Sequence, residues 1–198
     1  DVVRLRDFLQ ALSGSQPTPG GGSASAMIGA TGASLVSMLM ELSIGKAAGS
    51  RKEKFIDIAR EAVSLRQDLL ELVEADARSF QGVMESFRLP KGTDEEKKER
   101  RQKIQAAFKE AANTPMIVME KCLRVMELAV EGIQDGNPNA ITDGGVAALA
   151  GWAGLKGAAL NTEINLGSIK DEEFVNYLKD SMAGLISKGG RSEEHTSE

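Results

Sequence analysis

A loop rich in proline and glycine, residues 17–26, has the composition of a ligand-binding element. Its sequence is PTPGGGSASA, and a helix of small residues follows it. Prolines fix φ, and glycines allow backbone conformations that are closed to other residues. Ser23 is a suitable N-cap for that helix. We predict that backbone N–H groups at the positive end of the helix bind a carbonyl, carboxylate or phosphate. The candidate binding residues of this loop are Pro19, which has no N–H of its own, and Gly20, Gly21, Gly22 and Ser23. The alternative is a linker between two helices.

A second polar loop, residues 136–143 (GNPNAITD), also opens into a helix rich in glycine and alanine. Its candidate site residues are Asn137, Asn139 and Asp143, although Asp143 with Thr142 would also serve as a helix cap. Lys46 belongs to a basic cluster at another helix junction. That cluster is either a solvated surface or a contact for an anionic group.

Asp76 is the strongest candidate for acid–base chemistry. It occupies a position in a helix where the apolar pattern calls for a hydrophobic residue, four after Leu72 and four before Phe80. A carboxylate that faces a core is costly unless it is paired, and without a partner its pKa rises toward the range useful for proton transfer. The alternative is a structural aspartate bonded to a helix terminus or to a basic side chain.

Asn161 and Asn165 lie one helical turn apart on the same face. Two such amides are suited to recognising a polar heterocycle, or they satisfy each other and a helix end. The known phosphate-binding motifs are missing, because the three glycines follow no strand and Gly45-Lys46 lacks the rest of a Walker loop.

The only histidine, His195, lies in the last eight residues, and Cys122 is the only cysteine. This composition excludes histidine-dependent triads and the usual zinc sites from residues 1–190, so we expect no metal and no cofactor. Acid–base work then falls to aspartate, glutamate, lysine or Tyr177, and our catalytic candidates among these are Asp76, Asp143 and Lys46.

The periodicity is helical throughout and predicts an all-α fold, an antiparallel bundle of five to six helices, several of them long. Pro115 predicts a kink or break in one of them. Residues 1–190 form a single domain. Residues 191–198 (RSEEHTSE) have no apolar pattern and resemble a translated sequencing adapter, so we expect a non-native tail, with the last helix ending near Ser187.

The formal net charge is −5 and no basic block is dense enough to follow a phosphate backbone, which argues against nucleic acid as a partner. The uncharged segment 24–40 contains too much glycine and serine for a good membrane span, so we expect no membrane partner. A lone cysteine fits a cytoplasmic protein. Two helix faces of small residues, Gly29/Gly32/Ala33 and Gly151/Gly154/Gly157, suggest close packing in a homodimer.

Five segments together resemble the cyclodeaminase/cyclohydrolase family over about residues 2–185: PTPGGGSASA, IGKAAGSRKEKF, EADARSFQGVMESFRLPKGTDEE, DGNPNAITDGGVAAL and ALNTEINLGSIKDEEF. The resemblance implies an all-α homodimer that acts on a one-carbon derivative of tetrahydrofolate. By position, residues 19–23 match the glycine loop of the family, and Asp76 and Lys46 match its recurrent carboxylate and lysine. Its polar positions match Asn137, Asn139, Asp143, Asn161 and Asn165.

The implied reaction is the hydrolysis of 5,10-methenyltetrahydrofolate to 10-formyltetrahydrofolate. An alternative is formiminotetrahydrofolate cyclodeamination, which releases ammonia and uses similar groups. A second alternative is a folate-binding helical module without turnover. Hydrolysis needs a positioned water, a weak base and a flat pocket, because the methenyl carbon is already cationic.

Overall fold

Six α-helices make up the fold in the computed structural model, which describes residues 5–197. They are α1 (Leu5–Leu12), α2 (Gly21–Ile44), α3 (Gly49–Arg88), α4 (Asp94–Asp135), α5 (Ile141–Leu166) and α6 (Glu172–Ser197), with a short 3-10 helix at Pro138–Ala140 before α5. No strand occurs within this range. The prediction of an all-α bundle with several long helices is confirmed.

Helices α2 and α5 pack against each other in antiparallel fashion at the centre of the bundle. A Cβ at Gly154 would lie 2.9 Å from the Ser25 carbonyl oxygen, and one at Gly32 would lie 2.9 Å from the Ala147 carbonyl oxygen. A Cβ at Gly29 would lie 2.5 Å from Cys122 Sγ on α4. The small-residue faces therefore serve close packing within one protomer, and the prediction that they form a dimer contact is wrong.

Pro115 lies inside α4, which continues from Asp94 to Asp135, so the predicted break does not occur. A proline has no N–H, so the helix leaves the carbonyl of the residue four positions earlier, Ala111, without its usual donor. The side chain of Asn165 on α5 fills that place, with its Nδ2 3.0 Å from the Ala111 oxygen. The neighbouring helix thus compensates for the proline.

Helix α6 runs ten residues past its predicted end near Ser187, to Ser197. Its packing against α5 extends to Gly189, where a Cβ would lie 2.7 Å from the Trp152 ring. No proline follows to stop the helix. The division into a domain at 1–190 and a tail at 191–198 stays a prediction.

Helix α2 is long and apolar enough to cross a membrane on length and composition alone. This is weak evidence, because the core helix of a bundle meets the same criterion, and α2 packs against α3, α4 and α5.

Candidate active site

A cavity of about 290 Å³ lies where the N-terminus of α2, the C-terminal turns of α5, the C-terminal part of α3 and the middle of α4 meet. The predicted site residues of the glycine loop, together with Asp76, Asn161 and Asn165, form what we call the first group. The cavity brings most of them together: Gly20, Gly21, Gly22, Asp76, Asn161 and Asn165. Pro17 and Thr18 line the cavity, whereas Pro19 is only half-buried beside it and follows a cis peptide bond.

Asp76 closes the N-terminus of α2 from the neighbouring helix. Its Oδ2 accepts hydrogen bonds from the backbone N–H and the hydroxyl of Ser23, both at 2.8 Å. The same hydroxyl lies 3.0 Å from the Val73 carbonyl oxygen. Asp76 is therefore bonded to a helix terminus, which was the alternative interpretation of its place in the apolar pattern, and it also faces the cavity.

Ser23 is not the N-cap of α2. The N-cap is Gly20, and Ser23 is the third residue of the helix and fully buried. The sequence favoured serine because serine is a common N-cap, but here a carboxylate from α3 satisfies the helix end instead. Ser23 consequently holds Asp76 in place and is too buried to touch a ligand itself.

The glycines are needed for close approach rather than for unusual backbone angles. Among the described glycines only Gly49 has a positive φ, so the predicted special conformations of the loop glycines do not occur. A Cβ at Gly22 would collide with the Asp76 carboxylate, and one at Gly21 would lie 3.2 Å from Asn161 Nδ2. Any side chain at either position would displace a polar group of the cavity.

The carboxylate has one oxygen fixed and one available. Asp76 Oδ1 accepts no hydrogen bond from the residues that the structure describes, while Oδ2 is held by Ser23. The N–H groups of Gly21 and Gly22 belong to the first turn of α2, where no intrahelical acceptor exists. A partly negative ligand atom can therefore accept from the N–H groups of Gly21 and Gly22. A water in the same place can also donate to Asp76 Oδ1.

Asn161 and Asn165 line the cavity from α5, with Asn161 beside Gly21. Asn161 donates its Nδ2 to the Gly157 carbonyl at 2.9 Å, and Asn165 donates to the Ala111 and Asn161 carbonyls. Neither side-chain oxygen accepts a hydrogen bond from residues 5–192. Both amides are thus held through their nitrogens, with their oxygens left for a donor on a ligand.

Sequence reasoning missed the remaining lining of the cavity. Their spacing predicts Phe80 and Phe108 as apolar positions of α3 and α4, and no pattern in the sequence marks Ser79. The remaining apolar lining residues are Val83, Ala111 and Ile164. Periodicity identifies apolar faces but does not tell a core position from the wall of a cavity. The 39% exposure of Phe80 is the feature that separates it from the core.

The remaining predicted site residues, Asn137, Asn139, Asp143 and Lys46, form the second group and lie at the other end of the bundle. Asn137 is buried and joins the loop to the end of α2: its N–H donates to Ser43 Oγ and its Nδ2 to the Leu42 carbonyl. Its Oδ1 accepts from Lys46 Nζ at 3.2 Å and from the Asn139 N–H at 3.1 Å. These bonds give Asn137 a structural role, and its predicted ligand contact stays a prediction.

Asp143 is the third residue of α5 and does not occupy the N-cap position, which Ala140 holds. Its side chain is half-buried, and those of Asn139 and Lys46 are exposed. Lys46 and Gly22 are separated by the length of α2, roughly 36 Å at 1.5 Å per residue. The structure therefore does not bring the two predicted groups together within one protomer.

Another cavity, shallower and of about 580 Å³, contains none of the predicted site residues. It is lined by α4 and the turn before α6, with Arg101, Lys109 and Lys170 at its edge. No group of three potential metal ligands of the His, Cys, Asp and Glu types is found in the part of the chain that the structure describes.

Comparisons with known proteins agree with the fold and with the resemblance in the sequence. The sequence profile of the formiminotransferase-cyclodeaminase family matches residues 4–184. The methenyltetrahydrofolate cyclohydrolase of Methylorubrum extorquens is 39% identical over 191 residues, which are 96% of this chain and 92% of that protein. The formimidoyltransferase-cyclodeaminase of Rattus norvegicus is 30% identical over 92% of this chain, but the match spans only 34% of that longer protein.

A solved structure shares the fold. The formiminotetrahydrofolate cyclodeaminase of Thermotoga maritima superposes with a TM-score of 0.87 at 24% identity, covering 98% of this chain and 94% of that one. Together with the profile match over residues 4–184, these comparisons show that the chain belongs to the formiminotransferase-cyclodeaminase family.

Proposed function

We propose that the protein hydrolyses 5,10-methenyltetrahydrofolate to 10-formyltetrahydrofolate in the cavity beside α2. One observation carries the proposal: a half-buried carboxylate with one free oxygen stands next to two open backbone N–H groups in a cavity that also contains aromatic rings. The name of the Methylorubrum extorquens relative, which matches this chain along nearly its whole length, supports the same reaction.

The reaction needs few groups. A water oxygen bonds to the cationic methenyl carbon while a base accepts one of its protons. The hydroxyl on that carbon then gives up its proton as the bond between the carbon and N5 breaks. N5 takes up one of the two water protons, the other is released to solvent, and the formyl group remains on N10. The base must lie within hydrogen-bond reach of the water, and Asp76 Oδ1 is the available acceptor in the cavity.

The other residues position the reactants. Two hydrogen bonds from Ser23 hold Oδ2 of Asp76 in place. Because the carboxylate is rigid, they also fix the position of Oδ1. The side-chain oxygens of Asn161 and Asn165 are suited to accept from the N–H groups of a reduced pterin. Phe80 and Phe108 provide apolar surface for a flat ring.

The second candidate is cyclodeamination of formiminotetrahydrofolate, in which N10 attacks the formimino carbon and ammonia leaves. The names of the rat and Thermotoga maritima relatives favour it. A third candidate is a folate-binding module without turnover. The oxygen Oδ1 of Asp76 supports the interpretation as an enzyme, because Oδ2 alone closes the end of α2 and Oδ1 is left facing the cavity.

We further propose that the protein is a cytoplasmic homodimer that uses the folate as substrate and needs no metal or other cofactor, and that neither nucleic acid nor a membrane is a partner. The free carboxylate oxygen supports metal-independent hydrolysis, since the substrate carbon already carries positive charge.

The proposal is tested by giving the purified protein each folate separately and following the methenyl absorbance, with a protein-free control for uncatalysed hydrolysis. Loss of the methenyl signal from methenyltetrahydrofolate supports hydrolysis. Appearance of that signal from formiminotetrahydrofolate supports cyclodeamination. Binding without either change supports the module, and the absence of both binding and turnover would refute a folate function.

A further inference from the structure

Ser79 lines two separate cavities. It borders the candidate site together with Asp76, which lies one helical turn before it on the same side of α3. It also borders another cavity, of about 260 Å³, which we call the α3/α4 cleft. Ser79 is the residue that the two linings share. Its hydroxyl therefore stands at the boundary between the candidate site and a second space.

The α3/α4 cleft faces away from the centre of the bundle. Its lining residues all belong to α3 and α4: Ala75, Arg78, Ser79, Gly82, Ala107, Glu110 and Thr114. In contrast, α2 and α5 contribute to the candidate site. Arg78 and Glu110 are exposed, so the cleft opens to solvent.

The side chains of Ser79 and Thr114 join α3 to α4 between the two cavities. Their hydroxyl oxygens lie 2.9 Å apart, and either can be the donor. Ser79 Oγ also lies 2.9 Å from the Ala75 carbonyl oxygen. Thr114 Oγ1 lies 3.2 Å from the Glu110 carbonyl oxygen. These three contacts share two protons, because a hydroxyl carries only one.

The pair therefore has two hydrogen-bonding arrangements. In one, Ser79 donates to Thr114; in the other, Thr114 donates to Ser79, and Ser79 donates to the Ala75 carbonyl. A hydroxyl that can both accept and donate is able to pass a proton along a chain, and each passage changes one arrangement into the other. Rotation of both hydroxyls then restores the first arrangement.

The charges at the cleft favour a proton on that side. Arg78 pairs with Glu74 at 3.4 Å, which partly neutralises its charge. Glu110 forms no ion pair with the residues that the structure describes, so its carboxylate is an unpaired negative charge at the opening. A proton that reaches water in the cleft is stabilised by this charge.

The proposed hydrolysis releases one proton in each turnover, and Asp76 must lose the proton it has accepted before the next water can react. A bound folate fills the candidate site and excludes water from it. The proton then needs a way out that does not pass through the substrate. The Ser79–Thr114 pair lies on such a way.

We propose that the Ser79–Thr114 pair carries the proton of each turnover from Asp76 to the α3/α4 cleft. Asp76 gives its proton to Ser79 through a water of the candidate site, Ser79 gives its own proton to Thr114, and Thr114 gives its own to a water in the cleft. One proton enters the pair and one leaves it, so both hydroxyls end neutral and Asp76 is again a carboxylate. This inference rests on the proposed function for the reaction that supplies the proton. Both hydroxyls act through Asp76 and are positioning groups for proton transfer.

Replacement of Thr114 tests the hydroxyl. Thr114→Val keeps the shape but cannot accept or donate, and kcat for loss of the methenyl absorbance should fall roughly tenfold. This is less than the ~10²–10⁴-fold effect of an acid–base group, because Asp76 can still accept the proton. KM should not change, since Thr114 does not line the candidate site. Thr114→Ser retains a hydroxyl and should retain most of the wild-type kcat.

The matched control is Thr162→Val on α5. Thr162 is also buried, and its Oγ1 is also 3.2 Å from the carbonyl oxygen one turn earlier, but it lines neither cavity. It should lose stability with no loss of kcat. The solvent isotope effect on kcat in D₂O should be larger in Thr114→Val than in Thr162→Val. Equal kcat values and isotope effects in these two variants, or a kcat of Thr114→Ser as low as that of Thr114→Val, would overturn the proposal.

Gly82 allows the cleft to be closed without breaking a hydrogen bond. A Cβ at Gly82 would meet nothing within 4 Å, so a longer side chain extends into open space. Gly82→Leu should lower kcat as Thr114→Val does while Tm holds or rises, because glycine is a poor helix former. Gly82→Ala, which is too small to close the cleft, and Gly184→Leu, in open space on α6, should keep the wild-type kcat. A wild-type kcat in Gly82→Leu would contradict the proposed path.

A high-resolution crystal structure tests the path without turnover. Ordered waters should occupy the α3/α4 cleft within hydrogen-bond distance of Thr114 Oγ1, and Gly82→Leu should displace them. A cleft in which no water reaches Thr114 would refute the path. If the waters are present but neither folate is turned over, the proposed function fails and the solvent path to Ser79 stands. If the protein hydrolyses the folate and the Thr114 and Gly82 variants all keep the wild-type kcat, the path fails and the proposed function stands.

Discussion

Asn165 donates its side-chain amide to the Ala111 carbonyl at 3.0 Å, across the interface between α5 and α4. That carbonyl is available because Pro115 cannot donate to it. The bond ties the end of α5 to the middle of α4, and Ala111, Phe108 and Asn165 all line the cavity. A proline inside a helix thus contributes to the geometry of the candidate site.

Replacing Asn165 should therefore cost stability as well as substrate binding, whereas replacing Asn161 should affect binding alone. Asn165→Ala leaves the Ala111 carbonyl without its donor, which costs about 1–3 kcal/mol and lowers Tm by about 2–12 °C in a chain of this size. Asn161→Ala loses a bond within its own helix. We expect a several-fold rise in KM for both variants and a changed Tm only for Asn165→Ala, measured by thermal unfolding and steady-state kinetics. Equal Tm values for the two would contradict the bridging role.

Gly22 should tolerate no side chain, because a Cβ there would collide with the Asp76 carboxylate. Gly22→Ala should move Asp76 away from Ser23, lower Tm and reduce turnover at least tenfold. The matched control is Gly184→Ala in α6, where a Cβ meets nothing within 4 Å and alanine should be neutral or stabilising by up to about 1 kcal/mol. Unchanged kinetics in Gly22→Ala would show that the carboxylate can move without consequence.

The sequence predicted the helical class and the long helices, because these depend on periodicity. It also singled out residues that the structure brings together in one cavity, and their role as a site stays a prediction. It failed where a tertiary neighbour supplies a group. Ser23 was predicted to cap its own helix, but Asp76 from α3 occupies that place. Pro115 was predicted to break α4, but Asn165 offsets the lost donor. The two small-residue faces were assigned to a dimer, although they serve the contact between α2, α4 and α5.

The placement of the second group could not be predicted either. Lys46 lies in the loop after α2 and Asp143 in the first turn of α5, and the composition of such a helix junction does not tell which end of the bundle it occupies. Only the antiparallel register of α2 and α5 shows that both junctions lie far from Asp76 in one protomer.

Acidification should weaken the contact between α3 and α4. Arg124 forms a two-pronged pair with Glu61, at 2.6 and 2.9 Å, and this hydrogen bonding holds the pKa of Glu61 below its usual range. A carboxyl with a lowered pKa in the folded state stabilises the fold above its unfolded pKa, and the stabilisation is lost as the pH falls through the folded value.

Glu61→Gln should therefore reduce the free energy of unfolding at pH 7 and show a shallower decline on acidification to pH 3 than the wild type. The difference should be at most about 1 kcal/mol, because both side chains are more than a third exposed. Urea unfolding at the two pH values measures it. The control Asp57→Asn removes a fully solvated pair on the same helix and should change little. If the free energy of unfolding falls equally in Glu61→Gln and in the wild type on acidification, the Glu61–Arg124 pair is not a source of acid sensitivity.

The central claim is that Asp76 accepts the proton of the attacking water, and the kcat of Asp76→Asn for loss of the methenyl absorbance tests it most directly. Asparagine keeps an oxygen that can accept from both donors of Ser23, so the end of α2 should stay closed while the titrating group is removed. We predict a fall in kcat of roughly 10²-fold or more, with substrate binding retained, and wild-type kinetics in the matched control Glu74→Gln on the exposed face of α3. A kcat for Asp76→Asn close to that of the wild type would contradict the account and move the proton transfer to another group.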